Sequence, residues 1–188
     1  MQAAVPRRKT ATLKKLTQTI ALDVDSKRDA GPAQGITYRP AKGIADFVDQ
    51  VARATPAVLI ATERHGVTGI FLKDLSKKME LPAVRVFSML GIPKATAEKK
   101  ATTGSLVSGS GGYAAIGVAK LLGIVEALVA DSTAPEAADF NSAKWLGAWL
   151  ELPQPALGGK RPADMIDTPT GLEVVTRLLG SIHSGAYQ

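Results

Sequence analysis

The chain has 188 residues, a formal net charge of +6, an aromatic share of only 5% and no cysteine. This length is enough to bury a core, and the absence of cysteine excludes a disulfide framework and thiolate chemistry. Alanine, leucine, valine and glycine dominate the composition, which favours packed helices over a β-sandwich. We therefore expect an all-α protein.

Positive charge is concentrated in the first hundred residues. Residues 1–42 hold nine Lys and Arg against three Asp, and residues 64–100 hold eight cations against three anions. Residues 101–188 reverse this balance, with five cations against eight anions. The division suggests two different partners, and the basic half has the character of a polyanion-binding surface, which many solvated surfaces share.

Residues 1–42 are predicted to form a flexible basic arm, because their cations sit among polar residues and Gly31-Pro32 interrupts any helix. Two interpretations stay open: a solubilising tail, or an arm that contacts a DNA backbone or a partner. No apolar run follows the basic N-terminus, so no secretory signal is expected and a cytoplasmic location is predicted.

Residues 43–130 are predicted to form a helical domain. Apolar side chains recur at three- and four-residue steps near residues 44–53, 56–64, 69–79 and 82–90. Thr55 is a candidate cap for the second of these helices, and Gly66 is a candidate terminator. In the fourth, the side chains predicted to face inward are those of Val84, Phe87 and Leu90.

The most apolar stretch runs from Tyr113 to Ala130. It is long enough to be tested as a membrane span, but it carries Lys120 and Glu126. Charged residues within the hydrocarbon core of a bilayer are costly, so we predict a helix buried in the protein instead. No membrane is expected among the partners.

Pro82 to Lys100 has the order of a helix-turn-helix: a helix, a glycine turn, an apolar residue and a second helix. Leu90 and Ile92 are expected to hold the two helices together, which leaves the outer face of the second free to enter a major groove. An ordinary helical hairpin is the alternative. The predicted DNA-binding residues are Lys94, Thr96, Lys99 and Lys100, with the lysines suited to phosphate contacts.

No stretch of the chain supports catalysis. Ser108 to Gly112 lacks the Gly-Lys-Ser/Thr ending of a phosphate-binding loop and is interpreted as a flexible hinge. The two histidines, His65 and His183, are too few for a metal site in a chain without cysteine. Three acidic residues are interpreted as helix-terminus electrostatics: Asp164, Asp167 and Glu173. We predict no enzyme, no cofactor and no metal.

Residues 131–188 contain the most specific pattern. Asn141 is predicted to cap one helix, a segment rich in proline and glycine follows, and Thr168-Pro169 opens a last amphipathic helix. This order resembles the C-terminal toxin-binding region of the Xre/MbcA/ParS-type antitoxins, with Gln154 where Asn is common. The matching residues are Trp145, Leu146, Pro153, Pro155, Ala156, Leu157, Gly158, Gly159, Pro162, Asp167, Thr168, Gly171, Val175, Leu178, Leu179, Ile182, Gly185 and Tyr187.

The helix-turn-helix segment is similar to the same family, whose pattern is L-x-x-L-L-G-I-S-x-x-T-x-x-R-R. Pro93 stands here in place of the usual capping serine, and lysines stand in place of arginines. Lysine cannot make the planar two-pronged contact to guanine that arginine makes. DNA binding is therefore better supported than sequence-specific readout.

The resemblance implies three parts: a basic arm at residues 1–42, an Xre-like helix-turn-helix domain for DNA binding and dimerisation at 43–130, and a helical toxin-binding domain at 131–188. It implies an antitoxin of a type II toxin–antitoxin pair. The partner would be a RES-type toxin that consumes NAD or transfers ADP-ribose, and the antitoxin would cover its active site. As a homodimer on operator DNA, it would also repress its own operon.

The resemblance also implies which residues meet the toxin. Those expected at the edge of the surface are Lys160 and Arg161, and those expected at the nucleotide pocket are Gly185, Ala186, Tyr187 and Gln188. Two alternatives stay open. One is a stand-alone helix-turn-helix transcriptional regulator, and the other is a helical adaptor that does not bind DNA.

Overall fold

The structure, a computed structural model, describes residues 33–133 and 135–183. Most of the predicted basic arm lies outside these residues. So do four of the predicted toxin contacts, Gly185, Ala186, Tyr187 and Gln188. The described part is all-α apart from one two-stranded ribbon, which confirms the predicted fold class.

The described part contains eight α-helices. In chain order the elements are α1 (Gly43–Ala52), α2 (Pro56–His65), β1 (Val67–Thr68), α3 (Gly69–Lys78), α4 (Ala83–Met89), α5 (Lys94–Thr103), β2 (Leu106–Val107), α6 (Gly109–Ala130), α7 (Ser142–Glu151) and α8 (Pro169–His183). Short 3-10 helices lie at Pro135–Asp139, Pro155–Leu157 and Pro162–Asp164. Strands β1 and β2 pair antiparallel, with Val67 opposite Val107.

Three predicted caps begin helices α2, α7 and α8. The side-chain oxygens of Thr55, Asn141 and Thr168 each accept a hydrogen bond from the amide three residues later, at 3.4, 3.0 and 3.1 Å. These bonds satisfy amides that have no partner within the helix. Gly66 ends α2 with a φ of 86°, as predicted for a terminator.

Helix α6 lies at the centre of the core. Helices α1, α2, α7 and α8 all pack against it, and Ile116, Leu121 and Leu122 are buried. By length and composition α6 could cross a membrane, but 56% of its most apolar window is buried inside the protein. The prediction of a buried helix is confirmed for this segment.

The two charged side chains of α6 lie at the edge of this core. Lys120 Nζ is 2.6 Å from Glu63 Oε1 on α2, so the pair joins the two helices. Burial raises the pKa of Glu126; nearby Asp49 adds to the rise and Lys78 opposes it.

The predicted hinge at Ser108–Gly112 is wrong. Residues 109–112 form the first turn of α6 instead. A Cβ atom at Gly112 would lie 2.4 Å from the carbonyl oxygen of Val107, and one at Gly111 would lie 2.5 Å from Cγ1 of Ile92. Glycine is needed here because the helix start packs closely on its neighbours.

The inward position predicted for Val84 is also wrong, since its side chain is 49% exposed. The buried side chains of α4 are those of Val86, Phe87 and Met89, and Leu90 directly after the helix is buried as well. Ala83 packs against the same core. One residue along a helix turns the side chain by about 100°, which carries Val84 away from these buried side chains.

The segment before α1 is fastened to the core. The amide of Ile36 donates to Oγ1 of Thr62 at 2.8 Å, and the Tyr38 hydroxyl donates to Oδ2 of Asp74 at 2.7 Å. Tyr38 is only 3% exposed, and its burial, together with the bond to the carboxylate, raises its pKa above the usual range. The buried core therefore begins before residue 43.

Helix α3 packs closely against α5 because its first residue, Gly69, has no side chain. A Cβ atom at Gly69 would lie 2.3 Å from the carbonyl carbon of Lys100, so Gly69→Ala forces backbone atoms apart. We expect a loss of about 2–3 kcal/mol in the free energy of unfolding, measured by urea denaturation.

Gly180→Ala is the matched control. Gly180 lies inside α8 with open space around its Cβ position, so alanine is expected to stabilise the protein by ~0.5–1 kcal/mol. Equal effects at the two glycines would contradict the packing assigned to Gly69.

Candidate functional site

The segment rich in proline and glycine after α7 forms a closed loop organised by Gln154. Its amide donates to the carbonyl oxygen of Lys160 at 3.0 Å, and its own carbonyl accepts from Leu157 and Gly159 at 2.9 and 3.0 Å. Its side chain is buried and Nε2 donates to the carbonyl oxygen of Leu152 at 3.1 Å. Gln154 therefore fixes the loop shape, a role that the local pattern did not indicate.

Two glycines reverse the chain within this loop. Gly158 and Gly159 have φ angles of 65° and 78°, and no atom lies within 4 Å of either Cβ position. The left-handed backbone, and not a close contact, is what favours glycine here. Lys160 follows directly, is exposed, and makes no ion pair among residues 33–133 and 135–183.

Four charged side chains join this loop to α4 and α7. Arg85 Nε lies 2.7 Å from Glu151 Oε1, and Arg85 Nη2 lies 3.3 Å from Asp164 Oδ1. Arg161 closes the ring, with Nε 2.8 Å from Asp164 Oδ2 and Nη1 3.5 Å from Glu151 Oε2. The network fastens the helix-turn-helix segment to the C-terminal region.

The network changes the interpretation of two residues. Hydrogen bonds from Arg161 lower the pKa of Asp164, with Arg85 contributing less. Asp164 lies in the first turn of the 3-10 helix Pro162–Asp164, and its carboxylate also pairs with Arg85 and Arg161. Arg161, predicted at the edge of the toxin surface, is 42% exposed and already bonded to two carboxylates within the chain.

Sequence reasoning missed Arg85 and Glu151. They are 66 residues apart along the chain, and no local spacing relates them. The hydrogen bond to Glu151 raises the pKa of Arg85 further above its already high usual value. The spacing of Arg161 and Asp164 is the one sequence signal for this network, because opposite charges three residues apart can pair on a helical turn.

The predicted helix-turn-helix pair is present as α4 and α5. Leu90 and Ile92 are buried between them, and Gly91 turns the chain with a φ of 65°. Pro93 precedes α5 without any side-chain cap, as its replacement of serine predicts. A Cβ at Gly91 would lie 3.3 Å from Cβ of Asp167, so the turn also touches the C-terminal region.

The outer face of α5 presents most of the predicted DNA contacts. Lys94, Thr96 and Lys99 are exposed, while Ala97 and Ala101 face the core. Three lysines and Glu98 give α5 a net charge of +2, and Lys94 Nζ lies 3.8 Å from Glu98 Oε1. Such surface pairs are weak, so Lys94 stays available to a phosphate.

Lys100 differs from the other three predicted contacts. It is half-buried, and its Nζ donates to the carbonyl oxygen of Leu106 at 2.5 Å. Lys100 thus holds β2 against α5 in addition to any contact with DNA. Spacing along the helix could not separate it from Lys99.

Comparisons with known proteins agree with this architecture. The profile of the antitoxin Xre/MbcA/ParS C-terminal toxin-binding domain matches residues 138–185. The chain is also 36% identical over 135 residues to a Prs ADP-ribosylating antitoxin from Sphingobium sp. (strain YBL2). That alignment covers 72% of this chain and 84% of the relative. The chain belongs to the Xre/MbcA/ParS antitoxin family.

Family membership confirms the resemblance drawn from the sequence. It also assigns a toxin-binding role to the C-terminal region, so this antitoxin has a cognate toxin as partner and is not an enzyme. The closed loop, the four-charge network and α8 up to His183 all lie within or against the matched residues.

The network makes stability depend on pH. Because the folded-state pKa of Asp164 is lowered, its contribution is present above the unfolded value of about 3.9 and is lost as the pH falls through the folded value. Asp164→Asn should therefore cost on the order of 1 kcal/mol at pH 7, and the difference from wild type should be smaller at pH 3. Thermal unfolding at the two pH values measures this.

Glu173→Gln provides the control. Within the described part of the chain Glu173 pairs with Arg177 alone, on the exposed face of α8, so its replacement should change the melting temperature little at either pH. An Asp164→Asn difference that persists unchanged at pH 3 would show that the loss is not electrostatic.

Proposed function

We propose that this antitoxin neutralises a RES-type toxin that consumes NAD or transfers ADP-ribose, by covering the toxin's active site. The observation that carries the proposal is the toxin-binding match over residues 138–185. The 36% identical relative, a Prs ADP-ribosylating antitoxin, supports the chemistry assigned to the toxin.

The C-terminal residues would carry the inhibition. The predicted pocket contacts, Gly185 to Gln188, begin two residues after the end of α8 in the sequence. Lys160 would add a cation at the edge of the surface, since it is exposed and free of intramolecular ion pairs in the described part of the chain. Arg161 is a weaker candidate, because a toxin would compete with its two carboxylate partners.

The antitoxin would also repress its own operon. The exposed face of α5, with Lys94, Thr96 and Lys99, supports this proposal. Helix-turn-helix proteins bind paired half-sites as dimers, so we propose a homodimer on operator DNA within a larger toxin–antitoxin complex. The basic arm would add phosphate contacts.

Co-expression tests neutralisation. Growth arrest by the neighbouring reading frame's product should be relieved by the full-length antitoxin, and cellular NAD should recover. Removing residues 184–188 should abolish most of this protection, because the residues proposed to enter the toxin's pocket are then absent. Growth and NAD content are the measurements.

The truncated protein must remain folded for this result to count. Its circular dichroism melt should match that of the full chain, since residues 33–133 and 135–183 hold the described core. Full protection by the folded truncation would contradict a role for the tail, and a harmless neighbour would favour the stand-alone regulator.

Salt titration tests DNA binding. Lys94→Ala with Lys99→Ala should weaken binding to a promoter duplex and reduce the slope of log K against log salt by roughly 0.9 for each phosphate that a lysine no longer neutralises. Lys100 is left unchanged, because it supports β2. Fluorescence anisotropy at several salt concentrations measures the slope.

Lys160→Ala is the matched control on the other surface. It removes an exposed lysine of the C-terminal loop and should leave DNA affinity and salt slope unchanged while weakening toxin binding. Identical salt slopes for wild type and the α5 double variant would show that these lysines do not contact DNA. That result would favour the helical adaptor.

A further inference from the structure

An apolar groove lies where the end of α6, the 3-10 helix Pro135–Asp139, the start of α7 and the end of α8 meet. Its volume is about 330 Å³, and seven of the eight described residues that line it are apolar. The lining residues that carry the argument are Val125, Leu128, Val129, Phe140, Trp145 and Ile182. Phe140 is 39% exposed, so the groove is open to solvent.

Two aromatic rings line one wall of the groove, and a third ring stacks behind them. The rings of Phe140 and Trp145 are 6.2 Å apart between centroids, and Trp145 stacks on Trp149 at 6.0 Å with 13° between the planes. Trp149 is buried, so these rings are anchored in the core. Rigid aromatic side chains lose little conformational entropy on binding and often dominate the binding energy of protein interfaces.

We propose that this groove receives an apolar side chain or helix from the body of the toxin. The proposal rests on the proposed function, in which residues 185–188 contact the toxin's pocket. It adds a second anchor point, which binds the toxin outside its active site.

Chain connectivity selects the toxin as the occupant. Ile182 lines the groove, and the last proposed pocket contact, Gln188, follows it by six residues. Six residues span at most roughly 20 Å, which is less than the ~30 Å diameter of a small domain. A toxin whose pocket holds these residues must therefore rest against the surface around the end of α8, where the groove opens.

The matched toxin-binding region points the same way. Phe140, Trp145 and Ile182 all fall within residues 138–185, whereas Val125, Leu128 and Val129 belong to α6. The groove is thus formed where the toxin-binding region packs on the central helix. An open apolar groove at this position is the kind of surface that a protein partner covers.

Val129→Lys tests the proposal. Lysine at the end of α6 suits the helix dipole, and its stem can reach solvent when the groove is empty, so the free protein should remain folded. A covering toxin would bury the charge, and we expect the dissociation constant of the full-length antitoxin–toxin complex to rise roughly tenfold to hundredfold. Isothermal titration with the purified neighbouring gene product measures it.

Val84→Lys is the matched control, with the same change at an exposed valine of α4 outside the groove. It should leave toxin affinity unchanged. Phe140→Ala is a second variant that introduces no charge, and it should weaken the complex at least ~tenfold while melting near the wild-type temperature. The Phe140→Ala variant tests the groove proposal by itself if Val129→Lys fails to fold.

The outcomes separate this inference from the proposed function. No binding by the wild type would overturn the proposed function itself. Wild-type binding with unchanged affinity of the folded Val129→Lys and Phe140→Ala variants would overturn only the groove proposal. Sedimentation of the free variants tests whether a second copy of this chain occupies the groove instead. If the variants dissociate the homodimer but bind the toxin with unchanged affinity, the proposal is overturned.

Discussion

The structure depends on the close packing of neighbouring elements around α6. A Cβ atom at Gly117 would lie 2.3 Å from Cδ2 of Leu172, and one at Gly112 would lie 2.4 Å from the carbonyl oxygen of Val107. Helix α8 and the β-ribbon can therefore approach α6 only because these positions carry no side chain. Since interiors are packed at nearly crystalline density, a Cβ atom at Gly112 would displace the backbone of Val107, and one at Gly117 would force the Leu172 side chain to move. The central helix thus sets the positions of the surfaces around it.

This packing joins the two regions that the family resemblance treats as separate. The turn between α4 and α5 touches Asp167, and Arg85 of α4 bonds both Glu151 and Asp164. The proposed DNA-binding face and the toxin-binding region therefore share a core and a charge network. A toxin that displaced Arg161 from its carboxylates would act on the same network that holds Arg85. The assignment of residues 43–130 and 131–188 to different partners remains a proposal about what each surface binds.

The C-terminal region has three physically distinct features. The loop around Gln154 is held by backbone hydrogen bonds and by two glycines in left-handed conformation. Beside it, the partly exposed ion pairs contribute stability that falls in acid, because Asp164 must be deprotonated to form an ion pair with Arg161. The apolar groove near Ile182 is different again, because covering it with a partner removes apolar surface from water, which is favourable in free energy.

The amino-acid sequence by itself determined the helices, three of their caps and the family, because apolar periodicity, capping side chains and the proline–glycine pattern are local signals. Only the tertiary structure decided which surfaces these helices expose. Gly111 and Gly112 are glycines because Ile92 and Val107 lie too close for a side chain, and Lys100 differs from Lys99 because its Nζ bonds the carbonyl oxygen of Leu106. Arg85 bonds Glu151 although 66 residues separate them, and Phe140 and Ile182 line the same groove. Such contacts depend on how distant segments pack, and no local spacing encodes them.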